Sequence, residues 1–550
     1  MIEDKKIGQV ILDYRFYNPE LHYSDGEIEK VLLHAAAENQ MEELLYSSND
    51  WAVLYHCSDI RENLLEWYPF KKESKLLEIG SGCGALTGLF SRKVASVTCL
   101  ELSERRSLIN AYRHKDCDNI KIMLGNFQNI RIDEKFDYIT LIGVWEYAGY
   151  YINGKEPYLE MLKGLKQYLK DDGKLLIAIE NKMGLKYWNG APEDHTGLIY
   201  GGLNDYVDKG DARTFSKQEI EMMLVAAGWK QWKFYYPMPD YKLPDTIYTD
   251  DKLPEPGELR NYRKDYNASR VYNFYDAVVS DQLCADGMVA YFANSFLVEC
   301  GSETTDVIFA KCNRIRNEQF RTLTIIREKE GLRFVQKGAL NSQAQRHICQ
   351  AGIKNKDYGL DVHVLEGCIQ DGVYVTDYIF GQGLDVYLYP YRNDKEEFIR
   401  KIREIIQNYL MPDKECMIDF CMTEDYRLIF GEKYIEGAKC LKVTNIDMIF
   451  SNLRMTKEGE VFCIDDEWVF AFPVPYEFVL WKALSDLYSK YMIYLKKRIS
   501  REQFFKEFDM DEKNIKVYEH MNRTFYNNVI GKDYTENYQK PSMTYNLRFT

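Results

Sequence analysis

The first 300 residues alternate between short apolar runs and stretches with the spacing of amphipathic helices. The apolar runs predict seven buried strands, at 75–80, 95–103, 121–127, 136–147, 173–181, 232–237 and 293–300. Near-continuous apolar strands that alternate with helices are typical of a parallel sheet whose two faces are both covered. We therefore predict an α/β fold built on a seven-stranded sheet.

The pattern divides the chain into four parts. Residues 1–70 predict a mostly helical N-terminal extension, and 71–300 form the sheet domain, with an insertion at about 238–290 between its last two strands. The pattern of 301–505 predicts a separate α+β domain. It contains antiparallel strands, a strand–turn–helix segment, a hairpin and several helices. Residues 506–550 have no clear period, so no structure is predicted there.

Composition and charge exclude several classes of protein. The 550 residues carry 71 Lys and Arg against 85 Asp and Glu, a formal net charge of −14, which argues against a nucleic-acid partner. No apolar run has the length of a membrane span, and the N-terminus lacks a signal core. The 13 cysteines include no CxxC pair, which favours reduced thiols. We expect a cytoplasmic protein without membrane insertion. Any association with the inner face of the membrane would require a partner protein.

Three glycines follow the first predicted strand of the sheet. Gly80, Gly82 and Gly84 lie where a strand turns into a helix, a position at which the backbone turns sharply and approaches a ligand. Glu101 ends the second strand, where its carboxylate can bind both hydroxyls of a ribose. NAD-binding and S-adenosylmethionine (SAM)-binding proteins share this geometry. Gly80, Gly82 and Ala85 also satisfy the dinucleotide fingerprint, so the glycines alone do not separate the two.

Other strand ends favour SAM. Glu78 completes an E-x-G-x-G-x-G pattern, Asn126 and Phe127 end the third strand, and VWEY (144–147) ends the fourth. In this order, the motifs resemble those of class I SAM-dependent methyltransferases over roughly 50–300. The resemblance implies a Rossmann-like sheet and SAM bound by Glu78, the three glycines and Glu101, with Asn126 and Phe127 at the adenine. Asn126 departs from the usual acid, although its carbonyl can accept the same hydrogen bond.

The methyl acceptor is less clearly indicated. The segment that follows the fifth strand, 180–197, is rich in polar side chains for a connecting loop. Glu193, Asp194 and His195 can contact an acceptor there, and His195 can remove a proton from a hydroxyl as a catalytic base. A solvated loop whose charges cap neighbouring helices is the alternative interpretation.

The C-terminal half carries four features in the order of a kinase. Lys337 lies on a predicted strand, and 375–388 follows it as a strand, a glycine turn and a helix. Asp447 and Asn452 have the spacing of a catalytic base and a metal ligand, and Asp465 ends a later strand, where the second metal ligand belongs.

Together these features resemble the aminoglycoside-phosphotransferase and lipopolysaccharide-kinase branch of the two-lobed protein-kinase-like fold, over roughly 305–500. The resemblance implies Mg-ATP, with Lys337 at the phosphates, Asp447 as the base and Asn452 and Asp465 at the metal. Three departures leave kinase activity open. Asn445 stands where the catalytic loop normally has His, and no glycine-rich loop precedes Lys337, since 311–320 contains no Gly. No acid occupies the helix position expected to pair with Lys337, where Gln343 and Gln345 are the nearest candidates.

The combination resembles bifunctional enzymes that cap bacterial surface polysaccharides by phosphorylating a terminal sugar and methylating that phosphate. It implies a glycan or its terminal phosphate as acceptor, and other polysaccharide-assembly proteins as partners. Two alternatives stay open. One is a methyltransferase of another small molecule with an inactive kinase-like binding module, and the other is a non-enzymatic scaffold of a polysaccharide assembly complex.

Overall fold

The computed structural model describes residues 4–21, 23–207, 212–260, 270–351 and 357–538. Its largest feature is a 15-stranded sheet. The strands up to residue 339 are β1 (Lys5–Ile7), β2 (Val10–Phe16), β3 (Lys75–Ile79), β4 (Ser96–Glu101), β5 (Ile120–Gly125), β6 (Phe136–Ile142), β7 (Leu169–Glu180), β8 (Gln231–Met238), β9 (Thr246–Thr249), β10 (Ser295–Gly301), β11 (Val307–Cys312), β12 (Thr322–Lys329) and β13 (Leu332–Ala339). The later strands are β14 (His363–Val364), β15 (Gly367–Gln370), β16 (Val373–Asp377), β17 (Gln382–Gly383), β18 (Met417–Asp419), β19 (Lys439–Leu441), β20 (Thr444–Asn445), β21 (Leu453–Met455), β22 (Val461–Cys463), β23 (Val469–Phe470) and β24 (Val474–Pro475).

Seven neighbouring strands of this sheet coincide with the seven predicted ones. Their order is β5-β4-β3-β6-β7-β10-β8. The first five strands in this order, β5, β4, β3, β6 and β7, pair in parallel, whereas β10 runs antiparallel to both β7 and β8. Adjacent residues of β3 enter opposite cores, since Leu76 packs on one face of the sheet and Leu77 on the other. The prediction of an α/β fold with a mainly parallel, doubly covered sheet is confirmed.

The N-terminal extension differs in part from the helical prediction. β1 and β2 form a hairpin, and β2 pairs in parallel with β5 at the edge of the sheet. The reason is local, because Val10, Leu12 and Tyr14 alternate along the chain and all three are buried, as one face of a strand requires. Helices α1 to α3 then follow, as predicted.

Helices cover both faces of the sheet and form much of the C-terminal half. In chain order they are α1 (Ile28–Ala37), α2 (Met41–Ser47), α3 (Trp51–Cys57), α4 (Thr87–Lys93), α5 (Glu104–Arg113), α6 (Ala148–Tyr151), α7 (Pro157–Leu165), α8 (Leu185–Trp188), α9 (Lys217–Ala226), α10 (Asp276–Ala285), α11 (Val289–Phe292), α12 (Gln345–Ala351), α13 (Leu384–Tyr387), α14 (Lys395–Ile405), α15 (Glu424–Phe430), α16 (Tyr476–Leu495), α17 (Arg501–Lys506) and α18 (Glu512–Val529).

The sheet continues without a break past residue 300. The predicted insertion contributes β9, which pairs with β8 on one side and with β11 on the other. The antiparallel strands β11, β12, β13, β16 and β15 then extend the same sheet. The two predicted domains, 71–300 and 301–505, are therefore joined through backbone hydrogen bonds. Part of the insertion, 261–269, lies outside the described residues.

The C-terminal half contains the predicted antiparallel strands and helices. β12 and β13 form a hairpin next to β16, and β21 pairs antiparallel with β22. Most of its other buried side chains form one large core around α14, α16 and α18. This arrangement is α+β, as expected, and the kinase-like identity of the half stays a prediction.

The segment for which no structure was predicted, 506–550, is ordered as far as it is described. α18 packs on α15 and α16. After it, Tyr534 lies against the N-terminal extension, where its hydroxyl is 2.7 Å from the Ser58 hydroxyl. Residues 539–550 lie outside the described part of the chain. Among the described helices, none has both the length and the apolar character that crossing a membrane requires.

Candidate active site

The turn after β3 has the conformation that its glycines predict. Gly80, Gly82 and Gly84 all have positive φ angles, of 68°, 54° and 77°. A side chain at Gly80 would place a Cβ 2.4 Å from Val144 Cγ2 at the end of β6. Glycine is therefore required there both for the backbone angle and for the close approach of the neighbouring strand.

Glu101 is fixed at the end of β4 by the same turn. Its Oε2 accepts a hydrogen bond from the backbone N–H of Gly82 at 2.8 Å, and its Oε1 accepts one from the N–H of Ser103, also at 2.8 Å. The carboxylate thus has a defined orientation and lines the large cavity described below. Each oxygen keeps lone pairs for a ligand, because a carboxylate offers about four acceptor sites.

Glu78 lies beneath the turn and does not line that cavity. Its Oε2 accepts a hydrogen bond from the Thr87 hydroxyl at 2.6 Å and contacts Cys99 Sγ at 3.5 Å. Burial raises the pKa of Glu78 to about 7, although these hydrogen bonds oppose the rise. In this position Glu78 links β3 to α4.

Asn126 and Phe127 follow β5 and line the cavity, as expected. Asn126 donates its Nδ2 to the carbonyl of Tyr151 at 2.9 Å, and its Oδ1 accepts from the N–H of Gln128 at 3.1 Å. The amide is thereby oriented, and its oxygen retains a second lone pair for a ligand. Phe127 packs edge-on against Tyr168, with ring centroids 6.0 Å apart.

One cavity of about 700 Å³ lies at the carboxyl ends of strands β3 to β7. This is the place where open parallel sheets bind their ligands, and the volume lies within the range of small-molecule sites. The predicted site residues on its wall are Gly80, Glu101, Asn126, Phe127 and His195. Six carboxylates line it, against one arginine and one lysine, so the cavity favours a cationic ligand.

His195 joins two carboxylates at one end of this cavity. Its Nε2 lies 3.5 Å from Glu180 Oε2, and one ligand atom each from Glu146, Glu180 and His195 lie within 4.8 Å of one another. The other ring nitrogen, Nδ1, lies 3.1 Å from the Tyr147 hydroxyl. We call Glu146, Glu180 and His195 the acceptor cluster.

Neighbouring charges define the electrostatics of the acceptor cluster. Burial lowers the pKa of His195, but the carboxylates of Glu180 and Glu146 more than offset this effect and raise it to about 9. Burial, together with the charge of Glu180, raises the pKa of Glu146 to about 8. Burial alone would raise the pKa of Glu180. The positive charge of the Lys242 ammonium, which contacts Glu180, outweighs this effect and keeps the pKa of Glu180 below its usual range.

The sequence analysis identified only part of this arrangement. Asp194, predicted to contact an acceptor, likewise lies on the cavity wall, where it binds Lys186 and Lys242, at 2.7 Å each. Glu146 was visible in the VWEY motif but received no role. Glu180 carried a usable signal, because it is the carboxylate that ends the otherwise apolar run LLIAIE. Lys242 gave no signal, since it comes from the insertion.

The kinase-like residues of the C-terminal half also come together. Lys337 Nζ on β13 lies 2.6 Å from Asp465 Oδ1. Asp447 Oδ1 lies 2.6 Å from Lys482 Nζ on α16, and Asn452 donates to the Asp447 carbonyl at 2.9 Å. Asp465, which was predicted as a metal ligand, is thus the acid that pairs with Lys337.

Asn445 connects these groups. Its Oδ1 accepts from the N–H of Asp447 at 2.9 Å, and its Nδ2 donates to the carbonyl of Asp465 at 2.8 Å. The cavity beside Lys337 measures only about 10 Å³, room for at most one water molecule. A nucleotide would therefore require the Lys337–Asp465 pair to open.

Comparison with known proteins finds one family similarity. Residues 52–233 match a family model described as a methyltransferase domain. This match includes the glycine turn, Glu101 and the acceptor cluster, and it confirms the predicted enzyme class, a methyltransferase. A search of curated proteins finds no match.

Solved structures with low overall similarity are also methyltransferases by their titles. A complex of the Haloferax volcanii Trm112 methyltransferase activator with a methyltransferase is 15% identical, covers 50% of this chain and 98% of that one, and has a TM-score of 0.28. Haemonchus contortus phosphoethanolamine N-methyltransferase 1, bound to phosphoethanolamine and S-adenosylhomocysteine, is 13% identical, covers 52% of each chain and has a TM-score of 0.28. A Bacillus halodurans methyltransferase is 16% identical, covers 44% of this chain and 99% of that one, and has a TM-score of 0.26.

Proposed function

We propose that this protein methylates a polar acceptor that binds at the acceptor cluster, and that a glycan is the acceptor class. The observation that carries the proposal is the continuity of one cavity. Its wall includes both Gly80 and Glu101 of the predicted cofactor site and Glu180 and His195 of the acceptor cluster. A cofactor and an acceptor can therefore meet in one cavity, where proximity supplies much of the rate.

The residues at the glycine turn fit SAM. When bound, this cofactor supplies an electrophilic methyl group on a cationic sulfur. Glu101 would accept hydrogen bonds from the ribose hydroxyls, and Asn126 and Phe127 would contact the edge and face of the adenine. The excess of carboxylates on the cavity wall would stabilise the positive charge of the cofactor.

The acceptor cluster fits a hydroxyl better than a free phosphate. Glu146 and Glu180 present carboxylate oxygens that accept hydrogen bonds from hydroxyls but repel an anion. In O-methylation the acceptor O–H bond breaks and an O–CH₃ bond forms, so a group must take up the proton. His195, the predicted base, lies beside Glu180, whose negative charge stabilises the imidazolium and raises the pKa of His195 to about 9, so the neutral ring that accepts the proton forms mainly at alkaline pH.

The test is a methyl-transfer assay with radiolabelled SAM and purified surface glycans, each offered with and without a terminal phosphate. Mass spectrometry would then locate the label. We expect O-methyl groups on the glycan in the absence of ATP. Label found only on phosphorylated glycan would replace the hydroxyl with the phosphate as acceptor, and label on neither would reject the glycan.

A second candidate function, phosphorylation of the same glycan, is favoured by the contacts in the C-terminal half. Lys337 and Asp465 are paired, and Asn445 links Asp447 to the backbone of Asp465. We propose that Mg-ATP binds there with Asn452 and Asp465 at the metal, once Lys337 has exchanged Asp465 for phosphate oxygens. Thermal unfolding with and without millimolar Mg-ATP tests this, and an unchanged midpoint would leave an inactive module.

A further inference from the structure

Three buried polar atoms at the acceptor cluster lack a hydrogen-bond partner among the described residues. They are Glu146 Oε2, Glu180 Oε2 and His195 Nε2. Glu146 is 1% exposed and Glu180 0%, and the side chain of His195 is 7% exposed. The 3.5 Å between His195 Nε2 and Glu180 Oε2 is too long for a good hydrogen bond.

The other atoms of Glu180 and His195 are satisfied. Glu180 Oε1 contacts Lys242 Nζ, and His195 Nδ1 contacts the Tyr147 hydroxyl. The unpartnered atoms therefore belong to the three residues that each offer a ligand atom within 4.8 Å of the others. Buried polar atoms are rarely left unpaired in proteins, so three of them in one cluster indicate a ligand.

We propose that Glu146, Glu180 and His195 bind a divalent metal ion, for which Mn²⁺ is a suitable probe. Two carboxylates and one imidazole form a ligand set that suits first-row divalent ions. Ligand atoms about 2.1 Å from one ion lie about 3 Å apart in adjacent positions and about 4.2 Å apart in opposite ones. Each of the three residues offers one ligand atom within 4.8 Å of the other two, so only a small contraction is needed.

The surrounding contacts orient these ligands. The Tyr147 hydroxyl holds Nδ1 of His195 and leaves Nε2 for the ion, and Lys242 fixes the opposite oxygen of Glu180. Contacts of this kind typically change metal affinity by 10–100-fold. Three protein ligands leave further coordination positions open to the cavity, which is the arrangement of a metal that also binds substrate.

The ion would change what the cavity accepts. The ion carries two positive charges. Together with three carboxylates (Glu146, Glu180 and Asp194) and two ammonium groups (Lys186 and Lys242), it gives the site a net charge of +1. That charge lowers the pKa of a coordinated hydroxyl and tolerates an anionic acceptor. His195 would then act as a ligand and not as the base, and the coordinated hydroxyl would release its proton to water in the open cavity before its oxygen accepts the methyl group. This role rests on the proposed function, whereas binding of the ion does not.

Mn²⁺ binding to the full-length protein tests the site by electron paramagnetic resonance. An Asp465→Asn background removes the carboxylate of the other predicted metal site, which Asp465 shares with Asn452. We expect one saturable site with a ¹⁴N coupling from a coordinated imidazole. His195→Gln should abolish that coupling, and Glu146→Gln should weaken affinity at least tenfold. Glu134→Gln is the matched control, because Glu134 pairs with Lys75 on the surface and should leave binding unchanged.

The ¹⁴N coupling requires no change at the acceptor cluster, so a folding defect of the His195 or Glu146 variants cannot produce or hide it in the Asp465→Asn protein. No saturable site, a coupling retained in His195→Gln, or unchanged affinity in folded Glu146→Gln would each overturn the proposal. SAM binding, measured on the same samples by calorimetry, keeps the two ideas separate. Mn²⁺ binding without SAM binding would count against the proposed function alone, and SAM binding without Mn²⁺ binding against the metal site alone.

Discussion

The backbone N–H of Gly82 and the carboxylate of Glu101 are joined by a 2.8 Å hydrogen bond. The bond ties the turn after β3 to the end of β4, so the two parts of the proposed cofactor site hold each other in place. The orientation of Glu101 exists before any ligand arrives. Such preorganisation reduces the entropy that binding would otherwise cost.

We predict that Glu101→Ala lowers SAM affinity at least tenfold in titration calorimetry. The change removes hydrogen bonds from a charged acceptor to the ribose, each worth about 1.5–3 kcal/mol. Glu104→Ala is the matched control. Glu104 is close in sequence but contacts Lys5 and Tyr14 outside the cavity. Unchanged affinity in Glu101→Ala, or tighter binding of NAD than of SAM, would contradict the assignment.

The glycine turn allows a test of stability. Gly80→Ala places a residue with a Cβ at a positive φ angle, which costs about 1–2 kcal/mol. The added Cβ also clashes with Val144. Gly459→Ala is the control, since Gly459 also has a positive φ but no atom lies within 4 Å of its Cβ position. Urea unfolding should show a larger loss for Gly80→Ala. Equal losses would mean that the contact with Val144 relaxes at no cost.

Glu78 predicts a pH dependence of stability. Its pKa rises from 4.5 to about 7 on folding because the carboxyl is buried. The folded state binds the proton more tightly than the unfolded state, so the free energy of unfolding falls as pH increases from about 4.5 through 7. Glu78→Gln removes this titration and can still accept from Thr87. The variant should be more stable than wild type at about pH 8.5, on the order of 1–3 kcal/mol, and similar to it at about pH 5.

Urea unfolding at both pH values measures this difference. The comparison within one variant separates titration from packing, because a packing defect would shift stability equally at the two values. A difference between Glu78→Gln and wild type that does not grow with pH would show that Glu78 is not the titrating group.

The sequence predicted those features that local pattern determines. All seven core strands were found, since short apolar runs that alternate regularly with helical stretches are typical of the strands of a parallel sheet. Gly80 and Glu101 could be placed because each lies at a fixed offset from a strand end. The hairpin at 5–16 was missed, because three alternating apolar residues are a weak signal beside long helical stretches.

The acceptor cluster depends on contacts that only the folded chain creates. Glu180 and His195 lie at the two ends of the segment 180–197, Glu146 follows β6, and Lys242 reaches them from the insertion. No spacing in the sequence encodes that convergence. The continuity of the sheet across residue 300 escaped prediction for the same reason, because β9 pairs with a strand on each side of the boundary.

The last prediction concerns Asp447, the proposed base for phosphorylation. Asp447→Asn should keep SAM binding and abolish ATP-dependent phosphoryl transfer to glycan, since a general base contributes about 10²–10⁴-fold. The change also leaves Lys482 as an unpaired charge whose side chain is only 7% exposed, a defect that costs about 3–5 kcal/mol. A loss of activity in this variant alone could therefore reflect unfolding.

The double variant Asp447→Asn/Lys482→Met removes that charge and should recover stability without recovering phosphoryl transfer. Thermal unfolding and transfer of label from γ-³²P-ATP measure the two effects separately. Phosphoryl transfer at the wild-type rate in the stable double variant would exclude Asp447 as the base, and methylation that needs no ATP in any of these proteins would uncouple the two halves of the chain.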